Sequence, residues 1–213
     1  MLRLTLPDRP LRVACLGAHP DDIEIGAGGT ILSLAADGRL GEAWWLVLTG
    51  EGERADEGRR AAARFADPVR PEVRIEGLRD GFLPAAWGEA KDRLEALRSD
   101  VDPDLVLTHR ADDAHQDHRV VSELTTTVFR DHLVLEYEIP KWDGDLGRSN
   151  VYLPLSAAVV GRKAELLREC FPSQAGRDWF GDDTFHALAR LRGVECRAPG
   201  GYAEAFTGRK LSL

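Results

Sequence analysis

Ala43-Trp44-Trp45-Leu46-Val47-Leu48-Thr49 is a continuous apolar run with no alternation of polar residues. A strand that shows no polar face is buried on both faces, and that situation belongs to the middle of a sheet covered by helices on each side. The rest of the chain fits such a frame. A shorter apolar run, Leu11-Arg12-Val13-Ala14-Cys15-Leu16-Gly17, precedes it and leads into a Gly-rich stretch. A helix is expected from about Gly28 to Ala36, closed by Asp37-Gly38, and another from Arg54 to Phe65 after the loop Gly50–Glu53. Val73-Arg74-Ile75 reads as a third strand, Glu89–Arg98 as a helix and Leu105–Thr108 as a fourth strand. A loop then runs to Asp117, followed by a helix over His118–Phe129 and a fifth strand over Leu133–Ile139. Beyond Pro140 the pattern is less regular, with a loop at Lys141–Asp145, helices over Ala157–Cys170 and Asp183–Leu191, and a terminal strand at Tyr202–Phe206. Strands alternating with helices predict an α/β chain, a three-layer fold with a mainly parallel central sheet. No repeat or break in composition divides the 213 residues, so a single domain over 1–213 is expected.

Charge and cysteine content narrow the function classes. With 28 Lys and Arg against 36 Asp and Glu, the net charge of −8 lacks the basic footprint of a nucleic-acid binder, and no polybasic stretch addresses anionic lipid. No apolar segment approaches the roughly 20 residues that span a bilayer. The first ten residues carry no apolar core of a secretory signal. Cys15, Cys170 and Cys196 are odd in number and widely spaced, which argues against a disulfide framework and for a reducing cytoplasm.

The chemistry concentrates in two segments. Ala18-His19-Pro20-Asp21-Asp22-Ile23-Glu24-Ile25-Gly26-Ala27-Gly28-Gly29 follows the first strand directly. In an open α/β sheet, ligands bind at the carboxyl ends of strands. His19 and Asp22, on a tight loop, can converge on one ion while Asp21 points elsewhere, free to act on water. His115-Gln116-Asp117-His118 follows the fourth strand, and if strands one and four are neighbours the two loops face each other. His19, Asp22 and His118 then form a three-ligand set suited to zinc, with an open position of the catalytic kind. The glycines lack the G-x-G-x-x-G order, and two carboxylates stand where a pyrophosphate would approach, so a dinucleotide loop is discounted.

The first segment closely resembles the signature of the zinc-dependent N-deacetylases called the PIG-L or LmbE family, and His115-x-Asp117-His118 resembles that family's second motif. Arg54-Ala55-Asp56-Glu57, Asp80-Gly81 and Tyr202-Ala203-Glu204-Ala205-Phe206 resemble further family segments. The resemblance implies a Rossmann-like fold and one zinc per chain, with another divalent metal as the substitute. It implies His19, Asp22 and His118 as ligands and Asp21 as general base toward the attacking water. It also implies a protonated His115 at the oxyanion and Asp117 tuning a neighbouring His. Arg54 and Asp80 become substrate contacts, with Arg54 equally at home on a helix surface and Asp80 in a turn. The implied substrate is a small N-acetyl amino-sugar conjugate. A non-sugar amide, or a non-catalytic sugar-binding module, are the competing readings, and a homo-oligomer is compatible with such an enzyme. Some members carry a carbonyl-polarising Tyr shortly before the second motif; here the residue two before His115 is Asp113, preceded by Asp112. That contact comes from elsewhere or is absent. Trp44 and Trp45 are expected in the core, while Trp142 and Trp179, in loop-like segments, can stack on a sugar face. His109, at the end of strand four, can line the site but is not counted among its residues, and His132 and His186 are read as structural or solvated. Phe171–Gln174 and Arg192–Phe206 are expected to help build the pocket.

Overall fold

A computed structural model describes residues 5–211. Its centre is a seven-stranded sheet of β1 (Leu11–Gly17), β2 (Leu40–Thr49), β3 (Glu72–Leu78), β4 (Leu105–His109), β5 (Leu133–Tyr137), β6 (Val151–Leu155) and β7 (Tyr202–Gly208), in the order β3-β2-β1-β4-β5-β7-β6. The five strands β1 to β5 run parallel, and β7 is antiparallel to both β5 and β6. β1 pairs with β4 on one side and β2 on the other, so the strand order reverses at β1, and a crevice opens beyond the carboxyl ends of β1 and β4.

Alternation along β1 explains the two helical layers. Val13 and Cys15 point into one core with α1 (Asp22–Ala36), α2 (Gly52–Phe65) and α5 (Ala157–Cys170), beside Ile31, Phe65 and Leu167. Ala14 and Leu16 point into the other, with α3 (Trp87–Asp100) and α4 (Gln116–Val128), beside Leu94, Val121 and Leu124. Period-two side chains on a strand packed on both faces require this division. α6 (Asp182–Cys196) covers the antiparallel end, where Leu155, Val160 and Ala189 form a small third cluster. No helix among the described residues is long and apolar enough to cross a membrane. All three cysteines are unpaired, and Cys15 is wholly buried.

Three departures from the sequence reading have physical causes. α1 begins at Asp22, six residues before the expected Gly28, so most of the Gly-rich stretch is helical. Those glycines are there for contact: a Cβ at Gly26 would lie 2.2 Å from the Tyr137 ring, and one at Gly28 would lie 2.5 Å from Phe65. Close approach of the helix to β5 and α2 outweighs the poor helix propensity of Gly. β6 was not expected, because Pro154 removes a ladder donor; at the sheet edge that donor is dispensable. Trp45 is buried as expected, but Trp44 is only partly buried, at the rim of the α3/α4 core.

α1 is also held by charge. The Glu204 carboxylate on β7 accepts hydrogen bonds from the Gly29 and Thr30 amides, each 2.7 Å, and from Thr30 Oγ1 at 2.7 Å. Lys163 of α5 donates to Glu204 at 2.7 Å and to the Ile25 carbonyl at 2.5 Å. The Tyr-Ala-Glu-Ala-Phe segment thus fastens the helix that carries the first motif. Glu204→Ala would strand the Lys163 ammonium and two helix amides in a dry environment. The expected loss, read by urea unfolding, is about 3–5 kcal/mol, whereas a loss under about 1 kcal/mol would mean water replaces the carboxylate.

Candidate metal centre

The loop Ala18–Asp21 is rooted in the ends of two neighbouring strands. The Ala18 carbonyl accepts from the Thr49 amide (2.9 Å) and the Thr49 hydroxyl (2.7 Å) at the end of β2. The Ala18 amide donates to His109 Nε2 (3.0 Å) at the end of β4. From this root His19 turns toward the crevice, and its amide donates to Asp22 Oδ2 at 2.7 Å. α4 begins beside it, with His115 as its N-cap, and brings His118 in from the other side.

His19, Asp22 and His118 converge as expected, their candidate ligand atoms all lying within 4.8 Å of one another. His118 Nε2 is 3.3 Å from His19 Nδ1 and 3.4 Å from Asp22 Oδ1, and His19 Nδ1 is 3.2 Å from Asp22 Oδ2. Facing imidazole nitrogens at this distance repel through their lone pairs unless a proton or a metal cation lies between them. The electrostatics favour positive charge here. Burial opposes it, but Asp22 and Asp113 raise His118 to about 9, and Asp22 with Asp117 and Asp80 holds His19 well above its ordinary range. Asp22, although desolvated, is kept well below the carboxylate range by His118, His109 and His19. Two imidazoles and a carboxylate around a place that prefers a cation suit zinc or another divalent metal.

A second ring of groups faces the other nitrogens of the two imidazoles. Asp113 Oδ2 lies 3.0 Å from His118 Nδ1, and Asp117 Oδ2 lies 3.5 Å from His19 Nε2. Metal-binding histidines commonly have such a carboxylate behind them, which fixes the ring and raises its basicity. Asp113 is therefore aimed away from the cavity, and it does not take over the carbonyl contact of the missing Tyr. Its Oδ1 accepts from the His115 amide (2.8 Å) and meets Lys141 Nζ at 3.0 Å. His109, not counted among the site residues from sequence, is completely buried, stacks on His118 with centroids 3.9 Å apart, and lies 3.1 Å from Asp22 Oδ2. Burial and the His118 charge push it down to about 4. Asp113 and His109 were missed because neither lies in a recognisable motif. The available signal was that every ligating imidazole needs a partner for its second nitrogen.

Asp21 stands beside this centre, nearly buried, with Oδ1 accepting from Arg54 Nη2 at 3.0 Å. Burial raises its pKa, and the Arg54 guanidinium opposes the rise. Arg54 also contacts Glu57 (3.4 Å) and Ser173 Oγ (3.3 Å), so its charge is directed at Asp21 and α2. Asp80 Oδ1 lies 3.0 Å from His19 Nε2. Asp117 accepts from the amides of Gly81 (2.7 Å) and Leu83 (3.0 Å), which pins the Asp80 loop; the positive φ of Gly81, 79°, makes glycine the fitting residue there. His115 Nδ1 accepts from the Asp117 amide at 3.2 Å, which leaves Nε2 to carry the proton. Burial and the charges of His118 and His19 lower its pKa, so the geometry favours neutral His115 over the protonated form that the resemblance implies. Nearby, burial raises the Glu24 carboxyl to about 8 while it accepts from Trp45 Nε1 at 2.9 Å.

His19, Asp21, Asp22, Arg54, Asp80, His115 and His118 border a cavity of about 780 Å³. Gln174, Trp142 and Trp179 also line it. The remaining histidines are distant in role: His132 meets Asp102, and His186 meets the Asp182 carbonyl.

The model of the PIG-L family, described as GlcNAc-PI de-N-acetylase, matches residues 14–129, which contain both His/Asp motifs, Arg54 and Asp80. No curated protein matches the chain. Solved structures do. The conserved protein TT1542 from Thermus thermophilus is 21% identical, with 95% of this chain and 96% of that one covered and a TM-score of 0.73. GalB, the 4-carboxy-2-hydroxymuconate hydratase from Pseudomonas putida, is 19% identical over 95% and 98%, with a TM-score of 0.77. The N,N'-diacetylchitobiose deacetylase from Pyrococcus horikoshii is 20% identical over 92% and 83%, with a TM-score of 0.71. These likenesses establish a shared fold.

If Asp113 holds the His118 ring, Asp113→Ala should weaken zinc binding about 10- to 100-fold in a competition with a chelator. Affinity within twofold of the parent protein would remove it from that role.

Proposed function

The chain belongs to the PIG-L family of GlcNAc-PI de-N-acetylases, and from that premise we propose that it is a zinc-dependent N-deacetylase, a single domain over residues 1–213 acting on an N-acetyl amino-sugar conjugate in the cytoplasm. The observation that carries this reading is the convergence of His19, Asp22 and His118 beside the buried Asp21 at one end of the cavity.

Amide hydrolysis needs an activated water, a donor for the charge that grows on the carbonyl oxygen, and a proton for the departing nitrogen. Held by His19, Asp22 and His118, zinc would supply Lewis acidity to the water and the carbonyl. Asp21 takes the proton of the attacking water. Its buried setting raises its basicity, and Arg54 keeps enough of it ionised and holds its orientation. As water adds to the acyl carbon, negative charge moves to the carbonyl oxygen. The Nε2–H of neutral His115 is the donor for it, a contact of a kind typically worth about 100- to 1000-fold in rate. When the carbon–nitrogen bond breaks, the nitrogen leaves as a primary amine with the proton that Asp21 returns, and the new oxygen leaves with its remaining proton in acetic acid, which ionises to acetate in solution. Asp117 acts behind this set by holding His19 and the Asp80 loop together. Asp80, whose carboxylate reaches His19, and Arg54, engaged with Asp21, then influence the substrate through those partners.

Purified protein should carry close to one divalent metal per chain by elemental analysis; a preparation that binds none under zinc saturation would sink the scheme. Asp21→Asn should keep the metal and lose about 100- to 10,000-fold in turnover. Replacement of His118 should release metal far more than replacement of His115. The decisive readout is the appearance of a primary amine with acetate. Addition of water to a substrate, the hydratase chemistry in the name of one structural neighbour, would free neither.

A further inference from the structure

The cavity has four basic side chains on its walls, and they are not equivalent. Arg54 is paired with Asp21 and Glu57. Lys141 is paired with Asp113 and Asp145. Arg79 and Arg177 meet no carboxylate among the described residues, although most arginines of this acidic chain do.

Each of these two guanidinium groups is oriented by an aromatic ring instead. Arg79 lies 3.5 Å above the Phe82 ring, and Arg177 lies 5.8 Å from the centre of the Trp142 ring. The backbone of each is held in a turn, with the Arg79 carbonyl accepting from the Phe82 amide (3.1 Å) and the Arg177 carbonyl accepting from the Phe180 amide (3.1 Å). Trp142 is itself steadied through Nε1, which donates to Asp178 at 2.7 Å. Stacking on a ring face restrains a guanidinium without neutralising it and leaves its N–H edge open to an acceptor. Both residues are exposed at the mouth, away from the buried His/Asp centre at the floor.

Building on the deacetylase reading above, we infer that Arg79 and Arg177 recognise an anionic group, a carboxylate or a phosphate, on the part of the substrate remote from the amide. A guanidinium is the side chain best matched to both anions. Glu51 and Asp143, which share the wall, accept hydrogen bonds only and therefore suit the hydroxyl groups between the two ends. A neutral conjugate leaves both arginines with solvent as their only partner, so the anion is a determinant of affinity.

Amine-bearing compounds test this without any turnover. Calorimetry on the zinc-loaded protein at fixed ionic strength compares glucosamine 1-phosphate, carboxymethyl glucosaminide and neutral methyl glucosaminide. One or both anions should bind roughly 10- to 100-fold more tightly than the neutral compound. Arg79→Gln and Arg177→Gln, both at exposed positions, should each bring that ratio toward one. Equal binding of all three, no binding of any, or a preference that survives both substitutions would overturn the inference; the last would mean that the anion ligates the metal directly. Acetate release from the matching N-acetyl compounds is measured separately, so a failure there counts against the deacetylase reading and not against this one.

Discussion

Asp22 is an anion buried in a place where anions are costly, and most of the site follows from that. Its side chain is almost completely removed from solvent at the first turn of α1. Moving a carboxylate into such surroundings costs several kcal/mol unless charge and hydrogen bonds compensate. Here compensation comes from the helix N-terminus, the His19 amide and the imidazoles of His19 and His118. Each imidazole is in turn fixed by its own partner, so the requirement spreads outward to Asp113 and Asp117. A candidate cation site is thus built as a shell around one buried negative charge.

The same logic holds on the far side of α1. Glu204 and Lys163 form a second buried pair, used to fasten the helix instead of to receive a ligand. The difference lies in satisfaction. Glu204 has amide, hydroxyl and ammonium donors at hydrogen-bonding distance, so nothing remains for an incoming group. At Asp22 the neighbouring nitrogens also face one another, and that mutual exposure separates a binding site from a structural tie.

Much of the fold was legible because burial on two faces leaves a direct mark on a sequence. Ala43–Thr49 and Leu105–Thr108 reveal central strands without reference to anything distant. The convergence of His19, Asp22 and His118 was legible because both motifs sit at strand ends. Elements whose reasons lie elsewhere in the chain were harder to see. The early start of α1 depends on Tyr137 and Phe65 accepting glycines against them. β6 depends on β7, which arrives much later in the chain. Asp113 shows no periodicity and becomes meaningful only once His118 needs a partner behind it. The pairing of Arg54 with Asp21, thirty-three positions away, left no local mark in the sequence.

The two oxygens of Asp117 belong to different tasks at once: Oδ2 faces His19 while also receiving the Gly81 amide, and Oδ1 receives the Leu83 amide. One carboxylate therefore joins the loop at the cavity mouth to a ligand at its floor. If both places are occupied, such a shared group would let one change the free energy of the other, and linkage requires the effect to be equal in both directions. A compound that orders the Asp80 loop would tighten the binding of the ion by the same factor by which the ion improves the hold on that compound. Under the deacetylase reading proposed above, retention of a metal would then depend on the bound compound as much as on His19, Asp22 and His118.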